Sequence, residues 1–366
     1  MIFGLKTALR KECKLTLKGK QNHYNVKLLR GYGVSISLKD NKIILKNGQN
    51  DITGKSEKEE WFVTKIPYEK IVISGKGYVS TEAIKLLSEK NINVLLTDTY
   101  GHPHAFMNNV MNSNTSTRYR MAQYDTFRDP DKVQYLRKWI LDSKLENQIN
   151  FLKSLERDDL NKGIFQLEQY RKSISNLKEY RDFLTVESRC GHIYFNNYTK
   201  LFDPKYKFES RHGGGLVLKN RYAGDIINAL LNYGYSILAG EICKFVNALG
   251  LDAYYGFYHK PHSSFQALVY DIIEPFRWLV EYSVFKLANH QNHSQSIKKK
   301  DYTWTREGKI VMDSDLIRRF LELLERKFLS ERPYKFKHGL KGKDGMSMCQ
   351  EITIAKIYVQ EVTADN

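Results

Sequence analysis

The chain has 366 residues, enough for one large domain or two ordinary ones. Hydrophobic residues make up 42% and aromatics 13%, which excludes a disordered chain and allows a sizeable core. Lys and Arg number 58 against 41 Asp and Glu, a formal net charge of +17 that points to a polyanionic partner, with nucleic acid ahead of an anionic membrane surface. No apolar run approaches the roughly 20 residues that span a bilayer. The opening MIFGLKTALRKECKLTLKGK has neither the apolar stretch nor the small-residue cleavage site of a secretory signal. The cysteines Cys13, Cys190, Cys243 and Cys349 are scattered without a CxxC pair, which fits a reduced, cytosolic compartment.

Residues 1–30 form a basic extension, with eight Lys or Arg and a single acid, Glu12. From there the period is mostly two. Val34, Ile36 and Leu38 alternate with polar or small neighbours, Lys39-Asp40-Asn41 turns the chain, and Ile43-Ile44-Leu45 returns, which predicts a hairpin. Further strands are expected at Trp61–Ile66, Ile71–Ser74 and Ile92–Thr97. One helix is expected at Thr81–Lys90, with Thr81 as its N-cap. The polar run 108–117 has the composition of a connector. Beyond it Asp129-Pro130 reads as a helix start, followed by Val133, Leu136, Ile140, Leu141, Leu145, Ile149 and Leu152 at helical spacing. Comparable stripes run through Ile164–Leu184, Ile226–Leu249, Ala267–Ala288, Leu316–Phe328 and Met348–Val359. The expected fold class is α+β: a small N-terminal β-rich domain over 1–107, a linker over 108–124 and a larger all-α domain over 125–366.

Further basic clusters lie at Lys298–Lys300 and at Arg332, Lys335, Lys337, Lys341 and Lys343. With interspersed tyrosines they suit contacts to backbone phosphates, which need cations but no base readout. The densest chemical stretch is 250–282. His259 follows Gly256-Phe257-Tyr258, and Asp271 and Glu274 are spaced i, i+3 on one helical face. Two adjacent carboxylates repel and call for a cation. Oxygen ligands with one imidazole suit Mg²⁺ or Mn²⁺ better than a structural zinc. The plainer alternative is that His259 caps a loop and the acids pair with Arg277. Pro275 disfavours helical geometry at Glu274, which predicts either a kink or tolerated strain there. Gly75-Lys76-Gly77 and the His102/His104 pair read as turns. His212-Gly213-Gly214-Gly215 reads as a loop, and none of these has P-loop spacing. Tyr254, Tyr255 and Tyr258 crowd the stretch, mostly as packing residues.

The run Gly256-Phe257-Tyr258-His259 followed by Leu268-Val269-Tyr270-Asp271-Ile272-Ile273-Glu274-Pro275-Phe276-Arg277 resembles the signature of the Cas1 family of CRISPR-associated spacer-acquisition integrases. Asp225 to Tyr235 resembles the family's helix before the histidine. Gly250-Leu251-Asp252 resembles its GLD turn, although Ala253 stands where proline is common. Val72-Ile73-Ser74 and Ile92 to Asp98 resemble its strand–helix–strand segment, and the likeness covers roughly 31–363. The family's earlier glutamate motif is matched by Glu187-Ser188-Arg189-Cys190-Gly191-His192-Ile193-Tyr194-Phe195, with Ser188 for the usual glycine and Cys190-Gly191 for an Ala-Ala pair.

The resemblance implies Mg²⁺ or Mn²⁺ held by Glu187, His259 and Glu274, where the family often has aspartate at the last position. Asp271 would stand beside them as a support or an alternative ligand, and either ring nitrogen of His259 could coordinate. It further implies a DNA endonuclease and integrase that inserts short DNA fragments into a repeat array. The enzyme would work as a homodimer assembled with the small Cas2 subunit. Two other readings stay open. A casposon-type transposase would use the same site, though such proteins often carry a further C-terminal domain for which the pattern leaves no room. The other is a catalytically silent DNA-binding protein.

Overall fold

The computed structural model describes residues 26–48, 56–68, 70–90, 92–98, 103–107, 117–211, 223–248, 250–260, 266–291, 295–306 and 308–329. Six strands, β1 (Val26–Lys39), β2 (Lys42–Lys46), β3 (Lys58–Phe62), β4 (Lys70–Val79), β5 (Asn93–Thr97) and β6 (Pro103–Met107), form one sheet in the order β3-β2-β1-β4-β5-β6. β1 and β2 pair antiparallel through a turn in which Asp40 and Asn41 take φ of 50° and 57°, the left-handed pair that a tight hairpin requires. β4 pairs parallel with both β1 and β5, and α1 (Thr81–Glu89) makes the crossover between β4 and β5.

Alternation decides what each face covers. Ile71, Ile73 and Val94 pack with Ala83 and Leu87 of α1. Val72 and Leu95, pointing the other way, join the core of the helical half. A buried ion cluster reinforces that junction: Lys70 on β4 lies 2.6 Å from Glu241 and also pairs with Glu325.

The helical half contains α2 (Thr117–Arg128), α3 (Pro130–Lys153), α4 (Asn161–Ser173), α5 (Tyr180–Thr199), α6 (Ile226–Ala248), α7 (Ala267–Ile273), α8 (Arg277–Ala288) and α9 (Ser314–Leu329). Asp129 caps α3, accepting from the backbone N–H groups of Asp131 and Lys132, with Pro130 in the first turn. The α+β class and its order hold, and several details differ. The half expected to be all helical carries a two-stranded ribbon, β7 (Tyr302–Trp304) and β8 (Ile310–Met312). The linker expected through 124 is already helical from Thr117, because α2 docks on the loop that precedes α7.

The basic extension ends earlier than residue 30. Val26 starts β1, and Lys27 pairs with Glu59 at 2.5 Å; residues 1–25 lie outside the described residues. The third strand runs over Lys58–Phe62 instead of Trp61–Ile66, since its register with β2 closes at Lys42 and Phe62 and the Val63 N–H then donates to Asn41. Ser80, not Thr81, caps α1, accepting from the Ala83 N–H. Gly75-Lys76-Gly77 is strand interior. β1 bulges towards β4 between Tyr32 and Val34, and a Cβ on Gly77 would lie 1.7 Å from the Val34 carbonyl oxygen. The stripe Ile164–Leu184 splits into α4 and α5. His104 lies on β6. His102, the His212–Gly215 run, the cluster Arg332–Lys343 and the stripe Met348–Val359 fall outside the described residues. Among the described residues no helix is long and apolar enough to cross a membrane.

Replacing Lys70 with Met removes the buried ammonium that faces Glu241 and Glu325. The expected outcome is a stability loss of about 3 kcal/mol or more, read by urea denaturation; an unchanged midpoint and slope would show that the cluster does not join the two halves.

Candidate functional site

The site assembles from three helices and one loop. α3 supplies Lys144, α5 supplies Glu187, α7 supplies Asp271, and the 3₁₀ turn between α7 and α8 supplies Glu274. The loop 250–260 supplies Tyr258 and His259. Pro275 does what its chemistry demands. With no N–H to donate inside a helix, it turns Glu274–Phe276 into one 3₁₀ turn between α7 and α8. Glu274 thereby keeps helical backbone angles and points a buried carboxylate into the protein.

Asp271 organises the loop. Its Oδ2 accepts from the backbone N–H of Phe257 at 2.7 Å and of Tyr258 at 3.0 Å. Its Oδ1 lies 2.8 Å from the His259 N–H and 2.7 Å from His259 Nδ1. The carboxylate is completely buried, yet four donors surround it, which makes the burial tolerable. Gly256 is needed for the approach, because a Cβ there would stand 2.6 Å from Asp271 Oδ2. Both Asp271 oxygens are engaged by the loop backbone and by His259. This geometry also separates the two ring nitrogens: Nδ1 is committed to Asp271, so coordination by His259 would fall to Nε2.

The loop is held from its other side by α2 and α3. Gln123 donates to the carbonyls of Asp252 and Tyr255 and accepts from the Asp252 N–H, all at 2.8–2.9 Å. Tyr124 donates to Asp252, and Arg137 donates to the Phe257 carbonyl at 2.9 Å. The three tyrosines have separate roles. Tyr254 is exposed, Tyr255 packs against Tyr124 and Phe127, and Tyr258 is buried and donates to Glu187 Oε2 at 2.8 Å.

The two glutamates meet on one nitrogen. Lys144 Nζ lies 2.6 Å from Glu187 Oε1 and 2.7 Å from Glu274 Oε2. Arg277 donates to Glu274 Oε1 at 2.9 Å, the pairing expected from their i, i+3 spacing. The guanidinium stacks 4.2 Å over the ring of Tyr235, whose hydroxyl donates to the buried Glu281. Burial would push the Glu274 carboxyl up, but Arg277 and Lys144 bring it down to about 2. Burial lowers His259, while Asp271, Glu274 and Glu187 raise it, for a net position above the ordinary histidine value. Cys190, one turn beyond Glu187, is buried and its thiol is pushed up to about 12, which makes it inert.

Two carboxylates from separate helices, with an imidazole at their side, are a suitable donor set for a hard divalent cation. As arranged, however, no three His, Cys, Asp or Glu side chains among the described residues stand close enough to hold an ion together. The physical reason is visible, since the Lys144 ammonium lies between Glu187 and Glu274. Lys144, Arg137 and Gln123 were missed by sequence reading. The available signal was a lysine and an arginine one heptad apart on a helix whose neighbouring stripe, Ile140, Leu141 and Leu145, is buried.

Residues 28–326 match the family model described as CRISPR associated protein Cas1. The chain is 30% identical over 276 residues to CRISPR-associated protein Cas1 3 of Methanobrevibacter ruminantium, covering 72% of this chain and 77% of that protein. It is 29% identical over 315 residues to CRISPR-associated endonuclease Cas1 1 of Archaeoglobus fulgidus, covering 81% and 86%. Among solved structures it resembles a casposase bound to integration product, with a TM-score of 0.80, 25% identity and coverage of 93% and 91%.

Asp271→Asn removes the charge facing His259. In metal-free protein the expected result is a fall in the His259 pKa, measured by NMR titration of its ring protons. The raised value means that protonated His259 stabilises the fold below the ordinary histidine pKa, a contribution lost as pH rises through the folded value. A His259 titration unmoved by the substitution would show that Asp271 does not control the ring.

Proposed function

Because the chain belongs to the CRISPR-associated protein Cas1 family, we propose that it is a metal-dependent DNA endonuclease and integrase that inserts short DNA fragments into a CRISPR repeat array. The observation that carries this reading is the convergence of Glu187 and Glu274 on one cation position beside His259. Glu187, Glu274 and His259 Nε2 would hold Mg²⁺ or Mn²⁺. A bound ion supplies Lewis-acid polarisation of the target phosphodiester and stabilises charge as a DNA 3′-hydroxyl attacks. With water as the nucleophile the same chemistry is nuclease hydrolysis.

The chain's own residues do the rest. Asp271 fixes the ring of His259 through Nδ1 and holds its backbone in place. Tyr258 orients Glu187 through its hydroxyl. Arg277 keeps Glu274 ionised and aimed. The excess of basic residues over acidic ones favours DNA as the partner, with affinity that falls steeply with salt. A homodimer joined to a Cas2 subunit is the assembly that the family resemblance supports.

The likeness to a casposase favours a second reading, integration of a mobile element's own ends. The substrate separates the two: a repeat-bearing target with short fragments for the first, element-end DNA for the second.

Glu187→Gln and His259→Ala are expected to abolish Mn²⁺-dependent joining of a labelled fragment to target DNA, a loss of about 10³-fold or more. DNA affinity by filter binding should stay within about twofold, because the substitutions leave the excess of basic residues intact. Variants that join DNA at the parental rate would refute the site. Parental protein with no strand chemistry on any DNA would favour the silent binding protein.

A further inference from the structure

Lys144 has no part in the mechanism above, and its position is unusual. It sits on α3, buried, with its ammonium between two carboxylates contributed by α5 and by the bend after α7. Nothing local brings these three together, since residues 144, 187 and 274 belong to separate elements. The lysine therefore sits where two anionic side chains require positive charge for the fold to tolerate them. A metal held by Glu187 and Glu274 requires the same oxygens.

We infer that Lys144 is a built-in placeholder cation: it holds Glu187 and Glu274 in position before a divalent ion arrives, and it must yield those oxygens when one does. This inference rests on the metal-site reading proposed above. It makes Lys144 a positioning residue with two opposed effects. Before loading, it offsets the repulsion between the buried Glu274 and the half-buried Glu187, with Arg277 supplying the second charge at Glu274 Oε1. During loading it competes, because its ammonium occupies a ligating oxygen of each glutamate. The long, flexible stem of a lysine suits an exchangeable cation. A guanidinium, with its planar fork of donors, would bind the same carboxylates more rigidly.

The opposed effects give a signature that a purely structural salt bridge lacks. A structural lysine, once removed, leaves the site weakened for every purpose. A placeholder, once removed, leaves two uncompensated carboxylates that bind a divalent ion more strongly. The experiment measures Mn²⁺ binding by electron paramagnetic resonance, and thermal melting with and without Mn²⁺, on DNA-free full-length chain. The proteins are the parent, Lys144→Met, Lys144→Arg and Glu187→Gln.

Lys144→Met is expected to bind Mn²⁺ about tenfold tighter or more, to melt lower than the parent without metal, and to gain more from saturating Mn²⁺ than the parent does. Lys144→Arg, which keeps the charge and so guards against simple misfolding, should bind Mn²⁺ no tighter than the parent. Equal or weaker binding by folded Lys144→Met, or tighter binding by Lys144→Arg, overturns the inference. If Lys144→Met is unfolded without metal, its recovery on adding Mn²⁺ supports the inference, and failure to recover overturns it. Glu187→Gln separates the two levels. Loss of Mn²⁺ binding there, with no gain in Lys144→Met, rejects only the placeholder. Parent and Glu187→Gln binding Mn²⁺ alike, or neither binding it, rejects the metal site and the placeholder with it.

Discussion

Two ionised carboxylates brought side by side in a partly buried site repel unless positive charge stands between them, and the helical half of this protein answers that constraint with a lysine. Glu187 and Glu274 stand on separate helices, and each reaches the Lys144 ammonium at hydrogen-bonding distance. From Glu274 the chain of charge continues to Arg277, then through the ring of Tyr235 to Glu281, which also accepts from Tyr194. Alternating signs and hydroxyl donors let a run of ionisable groups sit in low dielectric, where removing any single partner would be costly.

The loop carrying His259 has no regular backbone pairing of its own, so its geometry is imposed from outside. Asp271 gathers its N–H groups from one side, and Gln123 takes its carbonyls from the other. A histidine on such a loop would otherwise sample many orientations. Here its ring is set by an acceptor on Nδ1, an arrangement suited to presenting Nε2. The β-rich half is tied to this scaffold by Val72 and Leu95 in the shared core and by the buried Lys70 cluster.

The differences between expectation and structure share one cause, long-range contact. The linker composition before residue 117 carries no hint that Gln123 and Tyr124 will be drawn into a helix by the loop at Asp252. Gly75 and Gly77 look like turn residues because glycine usually serves that purpose. In the sheet they serve a close approach of two parallel strands, and only the partner strand reveals it. Pro275 shows the reverse: its missing N–H is a covalent, local fact, so the break between α7 and α8 was legible at once, although Glu274 itself keeps the helical angles that a following proline disfavours.

By itself the sequence determined the α+β order, the first hairpin, the capped start of α3, and the pairing of Glu274 with Arg277. All four arise from periodicity, capping and i, i+3 geometry, which act within a few residues. It also contained the motifs that mark Glu187, His259, Asp271 and Glu274 as belonging together. Only the tertiary structure decided that Asp271 serves the loop and the imidazole Nδ1, and that a lysine from a fourth segment stands between the two glutamates. The reason is that a side chain's charge is written in the sequence, whereas the partner that neutralises it depends on which helices pack against each other.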